Sequence, residues 1–289
     1  MEDAVIVSTA RTPVGRAYKG VFNATHGATM GSIAIALAIE RAHLDPAEIE
    51  DVIIGCALQE GASGSNVARQ SGLRAGLPVS VPGVTVDRKC SSGLQATAMA
   101  APDIRAGDRT VVVAGGLDAV SLVQTSHQNR FRNQDPWLLD HKPEIYWPML
   151  KTAEKVAERY AVRREAQDEF ALSSQQRTAA AREAGRFAEE IVPVTVAREV
   201  ADDDGTVVPV EVTLDRDECP RPAATAEGLA ALPPVFEGGS VTAGHACPLS
   251  DGASACVVMS ASDPAIRHLC PLSPFRVVLF PPHTATHYP

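Results

Sequence analysis

A basic excess is missing from this sequence. Against 26 Lys and Arg stand 35 Asp and Glu, a formal net charge of -9 with a pI near 5.4. Nucleic-acid binders carry a basic patch or stripe, whereas the basic residues here are scattered, so no nucleic-acid partner is expected. No run approaches the roughly 18 apolar residues that span a bilayer, and Met1-Glu2-Asp3 opens without a basic and apolar leader pattern, so the expectation is a cytoplasmic protein with no membrane partner. Regular cysteine spacing is missing as well. The six cysteines, at 56, 90, 219, 247, 256 and 270, form no CxxC pair, which argues against a zinc site or a disulfide framework and for reduced thiols. The acidic run Asp202-Asp203-Asp204-Gly205 lacks EF-hand spacing and reads as a hairpin tip, so no metal is expected. The Gly-rich stretch 55–64 fits neither a P-loop nor a dinucleotide fingerprint and is assigned no ligand.

What is present is an ordinary globular composition. The chain has 289 residues, 45% hydrophobic and 21% charged, with room for two domains. Ala4-Val5-Ile6-Val7-Ser8 reads as a buried strand followed by a loop. From Met30 to His43, Ile33, Ile35, Leu37, Ile39 and four alanines make a helix apolar almost all round, which implies burial between layers. Asp45-Pro46-Ala47-Glu48 supplies a cap, a proline and a glutamate for a short helix start, and Val52-Ile53-Ile54 is the next strand. A helix from Asn66 to Ala75 turns Val67, Ala68 and Leu73 inward, and Thr110 to Ala114 forms an apolar strand ending at Gly115-Gly116. This alternation implies a layered α/β domain with parallel pairing and right-handed crossovers.

After residue 120 the texture changes to a polar, irregular stretch that Pro136, Pro143 and Pro148 break. Helices follow at Thr152 to Tyr160 and Arg164 to Ala184, the second with Phe170, Ala171, Ser174 and Thr178 on one face. Strands at Ile191 to Val194 and Val207 to Val212 flank the acidic turn, and Asp251 to Met259 returns to a buried strand. Beyond Ser260 neither period nor helix length is visible, and an irregular tail is expected.

The stretch from Thr85 to Ala96 carries the most chemistry. Cys90 stands between a short β-type run and an Ala-rich run, which puts it in the first turn of a helix. Unpaired N–H groups, the macrodipole and the neighbouring Lys89 there favour a thiolate, the attacking form of cysteine. Pro102 falls in the later turns of that helix, where a proline removes a hydrogen bond and clashes, so a kink or an early end is expected.

Four stretches in order resemble the thiolase family, specifically its 3-ketoacyl-CoA thiolase and acetyl-CoA acetyltransferase members. Val5 to Gly15 is similar to the opening strand and loop, and Asp87-Arg88-Lys89-Cys90-Ser91-Ser92-Gly93-Leu94-Gln95-Ala96 to the nucleophile segment. Arg164 to Gln175 resembles a loop-domain helix, and Gly239 to Met259 the return strand. The resemblance implies an α/β, thiolase-like layered fold made of the first α/β half plus the inserted loop domain, with the C-terminal half missing. Its boundaries are 1–120 and 239–262 for the α/β domain, 121–238 for the inserted CoA-binding domain and 263–289 for a divergent tail. It implies Cys90 as the acyl-thioester nucleophile, its backbone N–H contributing to an oxyanion hole. It sets Met149 beside an acyl pocket, Arg221 near the nucleotide, and Ala243, Gly244 and Cys247 along the pantetheine. Acyl-CoA and coenzyme A are the implied partners, as substrates with no separate cofactor, and the chain is expected to form dimers or tetramers.

The departures from that pattern are specific. Where the family reads Gly-Asn-Ala-Ser, this chain has Gly244-His245-Ala246-Cys247. The Asn-Glu-Ala-Phe, Gly-His-Pro and Cys-x-Gly-Gly-Gly segments, which bring the activating histidine and the acid/base cysteine, do not occur after Ser260, and His268, His283 and His287 lack their contexts. The expectation is an acyl-CoA C-acyltransferase of fatty-acid or ketoacyl-CoA metabolism, impaired by truncation. The alternative is a non-catalytic CoA-binding or assembly subunit, or a thiolase remnant; a ketosynthase fits less well because of the long inserted domain.

Overall fold

A computed structural model describes residues 3–202, 204–263, 269 and 272–275. They fall into two compact units. The first takes the described residues within Met1–Gln128, Glu189–Cys219 and Leu249–Val278, and the second those within Asn129–Ala188 and Pro220–Pro248. These packing limits differ from the motif-based boundaries over 121–128, 189–219 and 239–248, which change sides.

The first unit is built on a mixed sheet. Its strands are β1 (Ala4–Arg11), β2 (Gly15–Arg16), β3 (Asp51–Gly55), β4 (Gly83–Val86), β5 (Val111–Ala119), β8 (Ser250–Ser260) and β9 (Ser273–Pro274), ordered β4-β3-β5-β8-β1-β9 with β2 on β8. A separate hairpin pairs β6 (Val194–Ala201) with β7 (Val207–Leu214) around the acidic turn. Alternation along the strands feeds two cores. Val52, Ile54, Val111, Val113, Val257 and Met259 pack with Met30, Ile35 and Ile39 of α1 (Gly27–Arg41) and with Val67 and Ala68 of α2 (Val67–Arg74). Ile53, Val112, Ala114 and Val258 point the other way, onto Ala96, Ala100, Ala101 and Ile104 of α3 (Ser92–Ala106). The sheet is therefore the middle of three layers, and α1 is buried along most of its length as its composition requires.

The structure departs from several of these expectations. Parallel pairing holds for β3 with β4 and β5, but β8 runs antiparallel to both β5 and β1. The reason is that β8 returns from a long inserted segment and so enters from the opposite end, without a helical crossover. β1 extends to Arg11 because Thr9, Ala10 and Arg11 pair with Cys256, Ala255 and Ser254. Likewise β5 runs through Gly115 and Gly116, where a Cβ on Gly115 would lie 2.1 Å from the Ser254 carbonyl oxygen of β8. Leu73 is exposed, since Val67, Ala68, Ser71 and Gly72 already fill the inward stripe of α2. α3 runs on through Pro102 to Ala106 rather than ending early, closed by Gly107 at φ 80°. Asp45 and Glu48 do form a capping box, on a single 3₁₀ turn, Pro46–Glu48.

A four-residue helix, α4 (Val120–Val123), ends β5. The second unit holds α5 (Pro136–His141), α6 (Met149–Arg159), α7 (Arg164–Glu183) and α8 (Ala226–Ala230). Pro136, Pro143 and Pro148 start helical segments there instead of breaking them, because the first-turn N–H has no intrahelical partner anyway. The Phe170 face of α7 is not an inner face: the helix has no buried residue and Phe170 is 79% exposed. Ile191 makes only an isolated bridge to Arg11, and the strand predicted around it begins at Val194. In the tail, β9 pairs with β1, while His268, His283 and His287 lie outside the described residues.

Candidate active site

Cys90 sits in the tight turn joining β4 to α3, one residue ahead of the cap residue Ser91 and so just before the first helical turn, with its side chain exposed. Two local devices hold this turn. Lys89 adopts a left-handed φ of 49°, a conformation costly to a residue with a Cβ. Asp87 holds it there: Oδ1 accepts the Lys89 backbone N–H at 2.7 Å and Oδ2 receives Nζ at 2.9 Å. The cation expected to serve Cys90 is thus itself paired. Behind the cysteine, the buried Ser92 hydroxyl accepts from the Arg88 N–H at 2.8 Å and donates to the Lys89 carbonyl at 2.6 Å.

Glycines seat the start of α3 directly on the sheet. A Cβ on Gly55, the last residue of β3, would fall 2.1 Å from the Ser92 carbonyl carbon, and one on Gly116 would fall 3.0 Å from the Gly93 Cα. Only bare backbone permits that approach. The result is an open cleft of about 360 Å³ lined by Cys90 together with Lys89, Arg11, Asp118, Gly252 and Ser254. Arg11 is clamped by Asp217, through two N–H···O contacts of 2.8 and 3.0 Å, and by Glu190 at 2.9 Å. No histidine among the described residues lines the cleft.

Asp118 supplies the cleft with a carboxyl group that the sequence reading missed. Its Oδ1 accepts from the Ala57 and Leu58 N–H groups, both at 3.2 Å, and from the Cys56 Sγ at 3.5 Å. Burial pushes the Asp118 carboxyl above its usual range despite those donors. Burial, together with the neighbouring Asp118 charge, pushes the Cys56 thiol up to about 12, so Cys56 is a neutral hydrogen-bond donor. Asp118 lies 62 residues from Cys56. No local pattern announces such a pair; the only signal was a carboxylate following two glycines at the end of an apolar strand.

The other predicted site residues all belong to the second unit. Met149 is exposed at the first position of α6, and the Arg221 backbone N–H donates to the Gln175 Oε1 of α7 at 2.7 Å. Ala243, Gly244 and Cys247 share one turn, with Ala243 and Cys247 exposed. Gly244 is pressed on the region of α8, where a Cβ would meet Leu229 at 2.6 Å and Leu232 at 2.8 Å. Inside that turn lies a network that the sequence reading also missed. His245 Nε2 is 2.6 Å from Asp168 Oδ1, and Arg164 Nε is 2.9 Å from Asp168 Oδ2. Burial raises the Asp168 carboxyl, but the hydrogen bonds from His245 and Arg164 outweigh it and hold the group below its usual range. The four-residue spacing of Arg164 and Asp168 was the one legible sign of it.

Among the described residues, no cluster of three or more His, Cys, Asp or Glu side chains is arranged to hold a metal ion, and no helix is long and apolar enough to cross a membrane.

Comparison with known proteins follows the same lines. Residues 4–262 match the family model for the thiolase N-terminal domain. A 3-ketoacyl-CoA thiolase of Bacillus subtilis is 41% identical over 277 residues, covering 96% of this chain and 70% of the relative. An acetyl-CoA acetyltransferase of Cupriavidus necator is 41% identical over 287 residues with the same coverage of both. The crystal structure of the Bacillus anthracis acetyl-CoA acetyltransferase superposes with a TM-score of 0.80 at 36% identity, over 95% of this chain and 69% of that one. Because the match runs from β1 through the insertion to the far end of β8, with the cysteine turn and its glycine seat inside it, this chain belongs to the thiolase family.

Proposed function

We propose that the chain is an acyl-CoA C-acyltransferase of fatty-acid or ketoacyl-CoA metabolism in which Cys90 accepts the acyl group. One observation carries this reading: an exposed thiol in a strained, side-chain-braced turn at the mouth of a cleft, just ahead of a helix start. In the step envisaged, Cys90 Sγ attacks the thioester carbonyl carbon, the bond from that carbon to the CoA sulfur breaks, and the CoA sulfur leaves with the proton the cysteine gives up. The product is an acyl-cysteine and free coenzyme A, and a second thiol or a carbanion then collects the acyl group. A backbone N–H at Cys90 aimed at the developing oxyanion would contribute about 3 kcal/mol. Met149 would border the acyl chain, Arg221 the nucleotide, and Ala243, Gly244 and Cys247 the pantetheine. Coenzyme A is substrate here, and no further cofactor is invoked.

The described residues that line the cleft include no histidine to take the Cys90 proton. Where no general base reaches Cys90, turnover is slower by about 10²–10⁴-fold. This favours a second reading, a CoA-binding or assembly subunit that works with another chain. The five described cysteines are all free, which supports a reducing, cytoplasmic setting, and exposed apolar side chains support homo-oligomers. Incubating the full chain with acetyl-CoA, then mapping the product by mass spectrometry, tests the first reading. The expected result is one acetyl group on Cys90, absent in Cys90→Ala, with weak thiolysis of acetoacetyl-CoA. Coenzyme A binding without acetylation would favour the second reading.

A further inference from the structure

The turn 242–247 has an inner and an outer side. Thr242 is fully buried and the His245 side chain is only 9% exposed, while Ala243 and Cys247 face outward. Its inner side is held by a chain of polar contacts. The Thr242 backbone N–H donates to His245 Nδ1 at 3.1 Å, which leaves Nε2 as the ring nitrogen that faces Asp168 with a proton. That Nε2–H donates to Asp168 Oδ1. Arg164 holds the other carboxylate oxygen and also donates from Nη2 to the carbonyls of Leu229 at 2.6 Å and Leu232 at 3.1 Å. The Thr242 hydroxyl takes the Gly244 N–H at 3.1 Å and tightens the bend further. The imidazole thus ties the turn to α7, and Arg164, on the same carboxylate, ties that helix to the segment around α8.

We propose that His245, acting through Asp168 and Arg164, is a positioning residue that fixes the Ala243 and Cys247 side of this turn for the pantetheine arm of an acyl-CoA. This deepens the CoA reading above and rests on it. The family resemblance puts an amide where this chain has the imidazole. An asparagine oxygen can still accept the Thr242 N–H but is too short to serve Asp168 equally well. The imidazole adds the second anchor, and its removal leaves the half-buried Asp168 carboxylate with Arg164 alone and the Thr242 N–H without its acceptor.

The test measures coenzyme A binding to the full chain by calorimetry, alongside the iodoacetamide rate of Cys90, in the parent, His245→Ala and His245→Asn. In the expected result, His245→Ala weakens coenzyme A binding about tenfold or more, His245→Asn, which keeps the Thr242 contact and loses the Asp168 one, falls between His245→Ala and the parent, and the Cys90 rate stays constant. Equal affinity of the parent and His245→Ala overturns the proposal. So does a His245→Asn protein equal to the parent, which leaves Asp168 no part in the positioning, or a Cys90 rate that moves together with affinity, which marks a general structural effect. A parent chain that binds no coenzyme A removes the CoA reading itself, an outcome separate from a parent that binds and a variant that binds equally.

Discussion

At the scale of single residues, burial sets the chemistry more than sequence neighbourhood does. Asp118 shows this with a definite sign. A carboxyl whose folded-state pKa is raised stabilises the fold while protonated, and that stability is lost as pH climbs from the unfolded value near 3.9 through the folded one. At neutral pH the ionised Asp118 is therefore a liability, and Asp118→Asn, which keeps an acceptor for Cys56, Ala57 and Leu58, is expected to melt a few degrees higher at about pH 7. The two melting curves should converge below about pH 4, as scanning calorimetry across pH would reveal; an unchanged difference at all pH values would remove the electrostatic account. Cys90 was legible because its neighbours form a local, ordered motif. His245 was legible only as a departure from a pattern, because its partner Asp168 lies 77 residues away and nothing local encodes the pairing.

At the scale of elements, close backbone approach explains where pattern reading went wrong. Glycines and prolines were read as breaks, yet Gly115 and Gly116 continue β5, Pro102 lies within α3, and Pro136, Pro143 and Pro148 open helical segments. Composition shows that such a residue is special; only tertiary neighbours show whether it ends an element or lets two elements meet. Gly115 is the clearest case, since its α-hydrogens face a carbonyl of the adjoining strand. Gly115→Ala should destabilise the chain by about 3 kcal/mol, because the clash is with backbone that cannot rotate away. Urea unfolding would measure it, and a loss under about 0.5 kcal/mol would mean that β8 shifts freely. The continuous apolar runs of β3, β5 and the end of β8 and the nearly all-apolar α1 were readable in advance, since composition and burial coincide there.

At the scale of the whole molecule, the first unit leaves apolar side chains uncovered around the start of α3: Val84, Leu94 and Met99 are 40%, 52% and 37% exposed. Concentration-dependent association is the expected consequence, and Leu94→Glu with Met99→Glu should shift sedimentation toward the monomer while far-ultraviolet dichroism is kept. An unchanged sedimentation profile would assign association to another surface. The layered α/β class was legible from alternation, but the direction and seat of β8 were not, because they depend on where the insertion returns the chain. That seat has a temporal side. β1, made well before β8, has β8 and β9 as its strand partners among the described residues, beside the isolated bridge from Arg11 to Ile191, and β8 begins at residue 250. At about 5–20 residues per second, the ribosome leaves β1 waiting roughly ten to fifty seconds for its main partner. Throughout that interval Ala4 to Arg11 lacks its main strand partner and is an apolar edge of the kind that a chaperone for extended hydrophobic segments binds, and the cysteine cleft, walled on one side by β8, can acquire its shape only once β8 has been made.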